Sequence, residues 1–514
     1  MEPVKYYQIG GFKAHLPWAQ WNPHSNSEVL IDSLMRMFRD DDDLVLGIRP
    51  NGASYLLLPV DQFDARFGQQ RPRDRPWNAH DFESLSPIQF GTEKALIDKL
   101  ASYVSNKKTR GGDPRDRSKA NTEYTSGGEA LSDRGEERSC FEHQRLLYRL
   151  LQKTIRRHKD FAVSLPPWFH DIQIYSLAFN LWFADTRPLD ERLANPRVLD
   201  VGWTEFDAPT DSDDLKAVST THLTVEEERY LGNPGKTRLT LPDITQAMPR
   251  DSIATLLQNV FSSQQSNAAS MPKLLLVHDT KTTMAVLHAF GVDTSKWATG
   301  IKQLLYSYSS AARNDLRTVS QYDVHLERRD RGSYGKPSRG RSRSPRRQST
   351  DERHVRQRSP PTHRAEAPPV YIVDVRAMYG FLMRVAPGHD NSILLNAKAL
   401  HLRDTALHRG EDDQVIYQDI DPKQWCAGKE SRLIGYMWED LANGVAIDEQ
   451  RAYRNEIAKE AAALPPAARY QGRADDDDVD PNDIMQPMGA GSGQPKPSKP
   501  YGMFDSEDED DEYY

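Results

Sequence analysis

The residues from Arg328 to Arg364 constrain this chain more than any other stretch. They hold 13 Lys+Arg against 3 Asp+Glu, a net of +10, with almost no apolar side chains. Their centre reads Arg339-Gly340-Arg341-Ser342-Arg343-Ser344-Pro345-Arg346-Arg347, followed by Arg358-Ser359-Pro360-Pro361. A segment with so little to bury cannot offset the entropy lost on ordering. The rest of the chain must therefore fold around it. The expectation is a disordered Arg/Ser-rich insert over 327–368. An opposite segment lies further on: Arg469 to Tyr514 carries 13 acids and 4 bases, a net of −9. The formal charge of −8 over 514 residues averages two opposed segments and an acidic remainder.

Hydrophobic residues make up 37% of the chain, enough for at least one sizeable core beside the loose segments. Cys140 and Cys426 are the only cysteines, which excludes a disulfide framework and a Cys-based zinc site. No window approaches the about 18 apolar residues of a membrane span. The longest apolar stretch, Ile172 to Ala184, contains Gln173 and Asn180. Met1-Glu2-Pro3-Val4-Lys5 lacks a charged-then-apolar signal pattern. A nuclear or cytoplasmic protein without membrane attachment is expected.

Composition shifts divide the chain. Residues 1–105 read as a small N-terminal α/β region. Its runs Leu44–Ile48 and Tyr55–Val60 flank the turn Arg49-Pro50-Asn51-Gly52, which predicts a hairpin. Residues 106–140 read as a disordered linker, rich in Gly, Ser, Arg and Asp. Residues 141–165 read as a basic amphipathic helix. Leu146, Leu147, Leu150, Leu151 and Ile155 form one stripe, and Arg145, Arg149, Lys153, Arg156, Arg157 and Lys159 fill the remainder. The preferred reading is a surface helix docked on the next domain; the alternative is a basic face that meets nucleic acid. Residues 166–449, interrupted by the insert, alternate apolar runs and amphipathic stretches. Strands are predicted at Ile172–Phe183, Arg197–Phe206, His222–Val225, Lys273–Val277 and Val370–Val373. Helices are predicted at Ser252–Phe261, Lys281–Phe290, Arg376–Val385 and Lys429–Ala442. Three antiparallel strands followed by alternating helices and strands give a mixed α/β sheet. Residues 450–514 read as a disordered acidic tail.

Specific residues then meet this order of elements. Pro196 to Phe206 contains Val201-Gly202-Trp203-Thr204-Glu205 and resembles the second strand of DEDDh-type exonucleases. Thr221 to Glu227 and Arg229-Tyr230-Leu231-Gly232-Asn233 resemble the third-strand region of one fungal branch of that superfamily. Leu276-Val277-His278-Asp279, with Leu287 and Phe290-Gly291-Val292-Asp293, resembles its fourth-strand segment. Tyr371-Ile372-Val373-Asp374 and Ala427-Gly428-Lys429-Glu430-Ser431 resemble its fifth strand and its last helix start. Over 166–449 the chain is similar to a fungal family whose C-terminal domain is RNase H-like and exonuclease-like. That family is linked genetically to a DEAD-box mRNA-export helicase.

The resemblance implies two-metal phosphodiester cleavage, with Mg²⁺ ions about 4 Å apart held by several carboxylates. Carried over by position, the first-strand Asp and Glu fall at Asn180 and Trp182. The helix Asp falls at Thr283, the general-base His at Trp425 and the last Asp at Glu430. Asn offers one neutral oxygen, and Trp offers no ligand. A rival alignment places the last pair at His408 and Asp413. The Glu430 alignment is preferred because Ala427-Gly428 leads directly into an apolar helix. The expectation is a catalytically silent domain without a metal cofactor. An active Mg²⁺-dependent 3′–5′ exonuclease with displaced ligands, or a scaffold without RNA contact, are the alternatives. Trp182 and Trp425 are expected to fill the space that metal and substrate would take. Asp279 and Asp374 are expected to cap the helices that follow them.

For the insert, Arg339, Arg341, Arg343, Arg346 and Arg347 are candidate phosphate-binding residues for RNA. Ser342, Ser344 and Ser359 are candidate phosphosites, as is Ser506 in the acidic tail; each phosphate adds nearly two negative charges. RNA or a ribonucleoprotein is the expected partner, with protein partners through the insert and tail. Leu231 to Thr237 mimics part of a phosphate-binding loop but lacks its first Gly, and reads as a turn.

Overall fold

The structure, a computed structural model, describes residues 4–10, 27–40, 42–67, 76–103, 118–125, 133–210, 214–241, 244–261, 271–306, 368–385, 392–402, 404–409, 415–418 and 420–463. One compact unit covers Met1–Arg454, and a second covers Asn455–Tyr514. The candidate residues of the Arg/Ser insert, Arg339, Arg341, Arg343, Arg346, Arg347, Ser342, Ser344 and Ser359, lie outside the described residues, as do Asp413 and Ser506.

The first half of the large unit runs β1 (Lys5–Gly10), α1 (Ser27–Arg39), β2 (Leu44–Ile48), β3 (Ser54–Pro59), α2 (Val60–Phe67), β4 (Trp77–Asn78), β5 (Ser84–Ile88), α3 (Glu93–Ser102), α4 (Thr122–Thr125) and α5 (Asp133–Leu151). Its five strands form an antiparallel sheet in the order β4-β1-β3-β2-β5. The hairpin predicted at Arg49–Gly52 joins β2 to β3. Gly52 has φ of 81°, and its amide donates to Arg49 O at 2.8 Å. Only glycine adopts that backbone freely.

The helix expected from residue 141 begins at Asp133, inside the stretch read as linker. Ser118, Asn121 and Tyr124, also inside that stretch, are buried. Nor is the helix a surface element. α5 packs on β5 from one side, and its apolar stripe joins a core that includes Tyr6, Val45 and Leu57 as well as Leu433, Met437 and Trp438. Arg145 is buried against Glu142, one helical turn away, and also donates to Pro87 O and Gly444 O. Arg157 pairs with Asp61 and Asp160. Arg145 is thus committed inside the protein, and the half-buried Arg157 is engaged by acids at its edge. The stripe was legible because leucines recur at helical spacing. The second buried face was not, because its burial depends on pairing charges three residues apart.

The second half runs β6 (Gln173–Leu181), α6 (Leu189–Ala194), β7 (Val198–Asp207), β8 (Lys216–Val225), β9 (Thr237–Arg238), β10 (Thr245–Met248), α7 (Arg250–Phe261), β11 (Lys273–Val277), α8 (Thr280–Ala289), β12 (Ala298–Thr299), α9 (Lys302–Tyr306), β13 (Val370–Asp374), α10 (Val375–Met383) and α11 (Ile393–Ala399). β14 (Asp404–Arg409), β15 (Val415–Gln418), β16 (Gln424–Trp425), α12 (Ala427–Asn443) and α13 (Ile447–Ala463) follow. The fold is mixed α/β. A seven-stranded sheet has the order β10-β8-β7-β6-β11-β13-β12. β8, β7 and β6 are antiparallel neighbours, and β11 and β13 continue the sheet in parallel.

Alternation along the strands sends side chains to opposite faces. Leu275 and Val277 meet Ile253, Leu257, Val286 and Leu287 on one face. Leu274 and Leu276 share the core of α12 on the other. On that second face the register sets Asn180 opposite Asp200, and Gly202 opposite His222. α12 crosses β6, β7 and β8 there. Close approach is possible because Gly202 has no side chain. A Cβ at that position would lie 2.4 Å from the backbone of Ala427 and Gly428.

Candidate functional site

The crossing of α12 over the sheet brings two of the residues predicted from the resemblance together. Asn180, near the end of β6, donates from Nδ2 to Glu430 Oε2 at 2.8 Å. Glu430 sits in the first turn of α12 and is 5% exposed. Burial pushes its carboxyl up to about 8, with the nearby Asp200 charge acting in the same direction. At neutral pH Glu430 is mostly a neutral acid. It offers a metal ion little charge.

Asp200 joins this corner, which sequence reasoning did not establish. It is fully buried on β7. Its Oδ2 accepts from the Ala427 amide at 3.1 Å and faces His222 Nε2 at 2.9 Å. A carboxylate at the first amide of a helix is favoured by the helix dipole. This explains how α12 starts although its cap position, Cys426, makes no side-chain cap bond. His222 Nδ1 meets Thr245 Oγ1 at 2.8 Å, so both ring nitrogens have partners. Cys426 Sγ lies 3.6 and 3.8 Å from the two ring nitrogens. Burial pushes its thiol up to about 12, so the thiolate is not available near neutral pH. The Cys–His–Asp grouping is a packed polar core, not an activated nucleophile. Serines and threonines continue it along the helix: Ser176 donates to Ser431 O at 2.6 Å, and Thr204 Oγ1 meets Ser431 Oγ at 2.8 Å.

The remaining expected positions fall apart from this pair. β6 ends at Leu181, with a register shift after Asn180, so Trp182 lies just past the strand. Its half-buried indole lies under Arg197, 5.1 Å from the guanidinium carbon. Trp425 is buried in β16, with Arg238 over its ring at 4.6 Å. Trp425 is thus buried, and Trp182 only half-buried. Thr283 is buried on α8, and its hydroxyl donates to Asp279 O at 2.7 Å. His408 falls in β14, and its proposed partner Asp413 is outside the described residues.

His278 and Asp279 have structural partners. Asp279 caps α8, accepting from the Thr282 amide at 2.7 Å, and its other oxygen meets Arg376 at 3.1 Å. Asp374 caps α10 through Ala377 and accepts from the Thr280 amide at the start of α8. His278 meets the Asn396 amide nitrogen at 3.1 Å. Burial, with the Arg376 charge, lowers its pKa to about 4, so it is neutral at physiological pH.

The residues present do not fit a two-metal centre. The Asn180 amide points a donor at Glu430, Glu430 is largely protonated, and Asp200 is engaged by a histidine and a helix amide. Among the described residues no three His, Cys, Asp or Glu side chains are grouped to hold one ion. No helix among them is long and apolar enough to cross a membrane. No protein-family model matches this chain. No curated protein matches it either.

Proposed function

We propose that residues 166–449 form an RNase H-like, exonuclease-like domain that has lost two-metal nuclease chemistry and serves as an RNA-associated adaptor of the nucleus or cytoplasm. The sheet order supports the fold assignment: an antiparallel β8-β7-β6 meander continued by parallel β11 and β13. The Asn180–Glu430 hydrogen bond carries the functional reading. It joins, at the crossing of first strand and last helix, two positions where the exonuclease resemblance requires acids. One of the two is an amide, and the other is a carboxyl that burial keeps protonated. Two divalent ions need several ionised oxygens, and this corner does not supply them. The Arg-rich insert supports RNA association, because dense Arg binds phosphates with counterion release. The insert and the acidic tail also suit protein partners of opposite charge.

The test is full-length protein with end-labelled single-stranded RNA, with and without Mg²⁺ or Mn²⁺. The expected result is binding that weakens steeply with salt, without shortening of the RNA. Metal-dependent shortening that is lost in Glu430→Ala overturns the loss of catalysis. Failure to bind at low salt overturns the RNA association.

A further inference from the structure

Four aromatic rings with four cations over them surround the loop ends next to the Asn180–Glu430 corner. Arg197 lies over Trp182 at 5.1 Å, Lys236 over Phe183 at 5.4 Å, Arg229 over Tyr230 at 4.6 Å and Arg238 over Trp425 at 4.6 Å. The surface is a single built unit. Asn233 ties the β6 end to the following loop, donating to Leu181 O at 3.0 Å and accepting from the Phe183 amide at 2.9 Å. β9 pairs with β16, and Arg238 donates to Leu231 O at 2.9 Å. Trp425 is buried and serves as floor. By contrast, Phe183 is 65% and Tyr230 is 83% exposed. Two large rings held open to water at neighbouring loop ends form a patch that a partner can cover.

The charges decide the occupant. None of the four cations forms an ion pair with a described residue. Acids do sit nearby, but several already have partners. Asp185 is paired with Arg187, and Glu227 accepts from the Arg250 amide. Glu226 and Glu228 remain beside Arg229. The β9–β16 pairing sets Lys236 and Arg238 beside the start of α12, which carries Glu430, so this surface adjoins the corner. Exposed rings beside cations that form no ion pair with a described residue suit a chain that alternates flat bases and phosphates.

We infer that Phe183 and Tyr230, flanked by Arg197, Arg229, Lys236 and Arg238, form a stacking platform for single-stranded RNA. This rests on the RNA-associated reading and gives it a location on the folded domain, apart from the insert. Bases stack on the two rings, and the cations contact the intervening phosphates.

The experiment uses the full chain and a fluorescein-labelled oligouridine of about twelve nucleotides, within the site sizes of such grooves. Phe183→Ala/Tyr230→Ala is expected to weaken binding about tenfold or more. Lys236→Gln is expected to make the salt dependence shallower by about one unit. Ultraviolet crosslinking of the unmodified protein is expected to attach uridine at Phe183 or Tyr230, a readout that needs no variant to fold. A parallel variant neutralises Arg341, Arg343, Arg346 and Arg347 to Ala. If that variant alone loses binding and the double variant matches the parent, the platform is overturned while RNA association stands. If the parent protein does not bind the oligonucleotide, both fall. If a synthetic Asp/Glu-rich peptide binds with Phe183/Tyr230 dependence and the RNA does not, the surface is a protein site and the proposal fails.

Discussion

Two buried polar clusters in the large unit solve the same problem in opposite ways. Near the start of α13, Arg138 is fully buried and pairs with Asp448, while Lys99 Nζ meets Glu449 at 2.6 Å. Arg138 also donates to Gly52 O at 2.9 Å and stacks on Tyr124 at 4.1 Å. There, charges are kept by surrounding each with its opposite. The Arg138 charge holds the Asp448 carboxyl well below the usual carboxylate range, against burial. At the Asn180–Glu430 corner no ion pair to the acid forms among the described residues, and burial neutralises it instead. The first cluster ties α3, α4 and α5 to the start of α13. The second sets Glu430 against the Asn180 amide and removes its charge. Acids are plentiful in this chain; what separates structure from chemistry is whether a buried one remains ionised.

The largest expected effect breaks the paired cluster. Arg138→Ala removes a fully buried cation, leaves the half-buried Asp448 without its main partner and should cost about 3–5 kcal/mol, read by urea unfolding. A stability loss under about 1 kcal/mol would show that the network is not what joins these elements.

The second effect is a pH dependence at the neutral corner. Glu430 holds its proton more tightly folded, to about 8, than at its ordinary 4.5. Its contribution is therefore fully present below about 4.5 and is lost as pH rises through about 8. Glu430→Gln stays neutral and can still accept from Asn180. The variant should match the parent near pH 4 and exceed it at pH 8.5 by on the order of 3 kcal/mol, measured as a widening difference in melting temperature. A constant difference across that range would contradict the assignment.

A smaller effect concerns packing. Gly202→Ala places a methyl group against the backbone of Ala427 and Gly428 and should cost about 1–3 kcal/mol, read by thermal unfolding. The smallest is at the platform. Tyr230→Ala should leave stability within about 0.5 kcal/mol while weakening RNA binding. A large loss of stability would make that ring a packing residue instead.

The sequence made some of this legible and hid the rest for physical reasons. β11 spans Lys273–Val277 as predicted, because a short apolar run buried on both faces has few alternatives. β8 was read only from His222, because its first half, Lys216 to Thr221, carries Lys, Ser and Thr and even Val218 is exposed there. Asn180 and Glu430 became candidates through family resemblance alone. Asp200 entered the corner through strand register, which no local pattern states. The adjacent pairs Trp182-Phe183 and Arg229-Tyr230 were visible as aromatic and cationic neighbours. That they meet at one surface depends on Asn233, whose bonds to Leu181 and Phe183 only the fold reveals.

The central claim is that Glu430 is a neutral acid that no divalent ion engages. Infrared difference spectroscopy between the parent and Glu430→Gln at pH 7, with and without Mn²⁺, tests it directly. The expected result is a protonated-carboxyl band in the parent that is absent in the variant and unmoved by Mn²⁺. A carboxylate band in its place, or a band that converts to carboxylate on adding Mn²⁺, would contradict it.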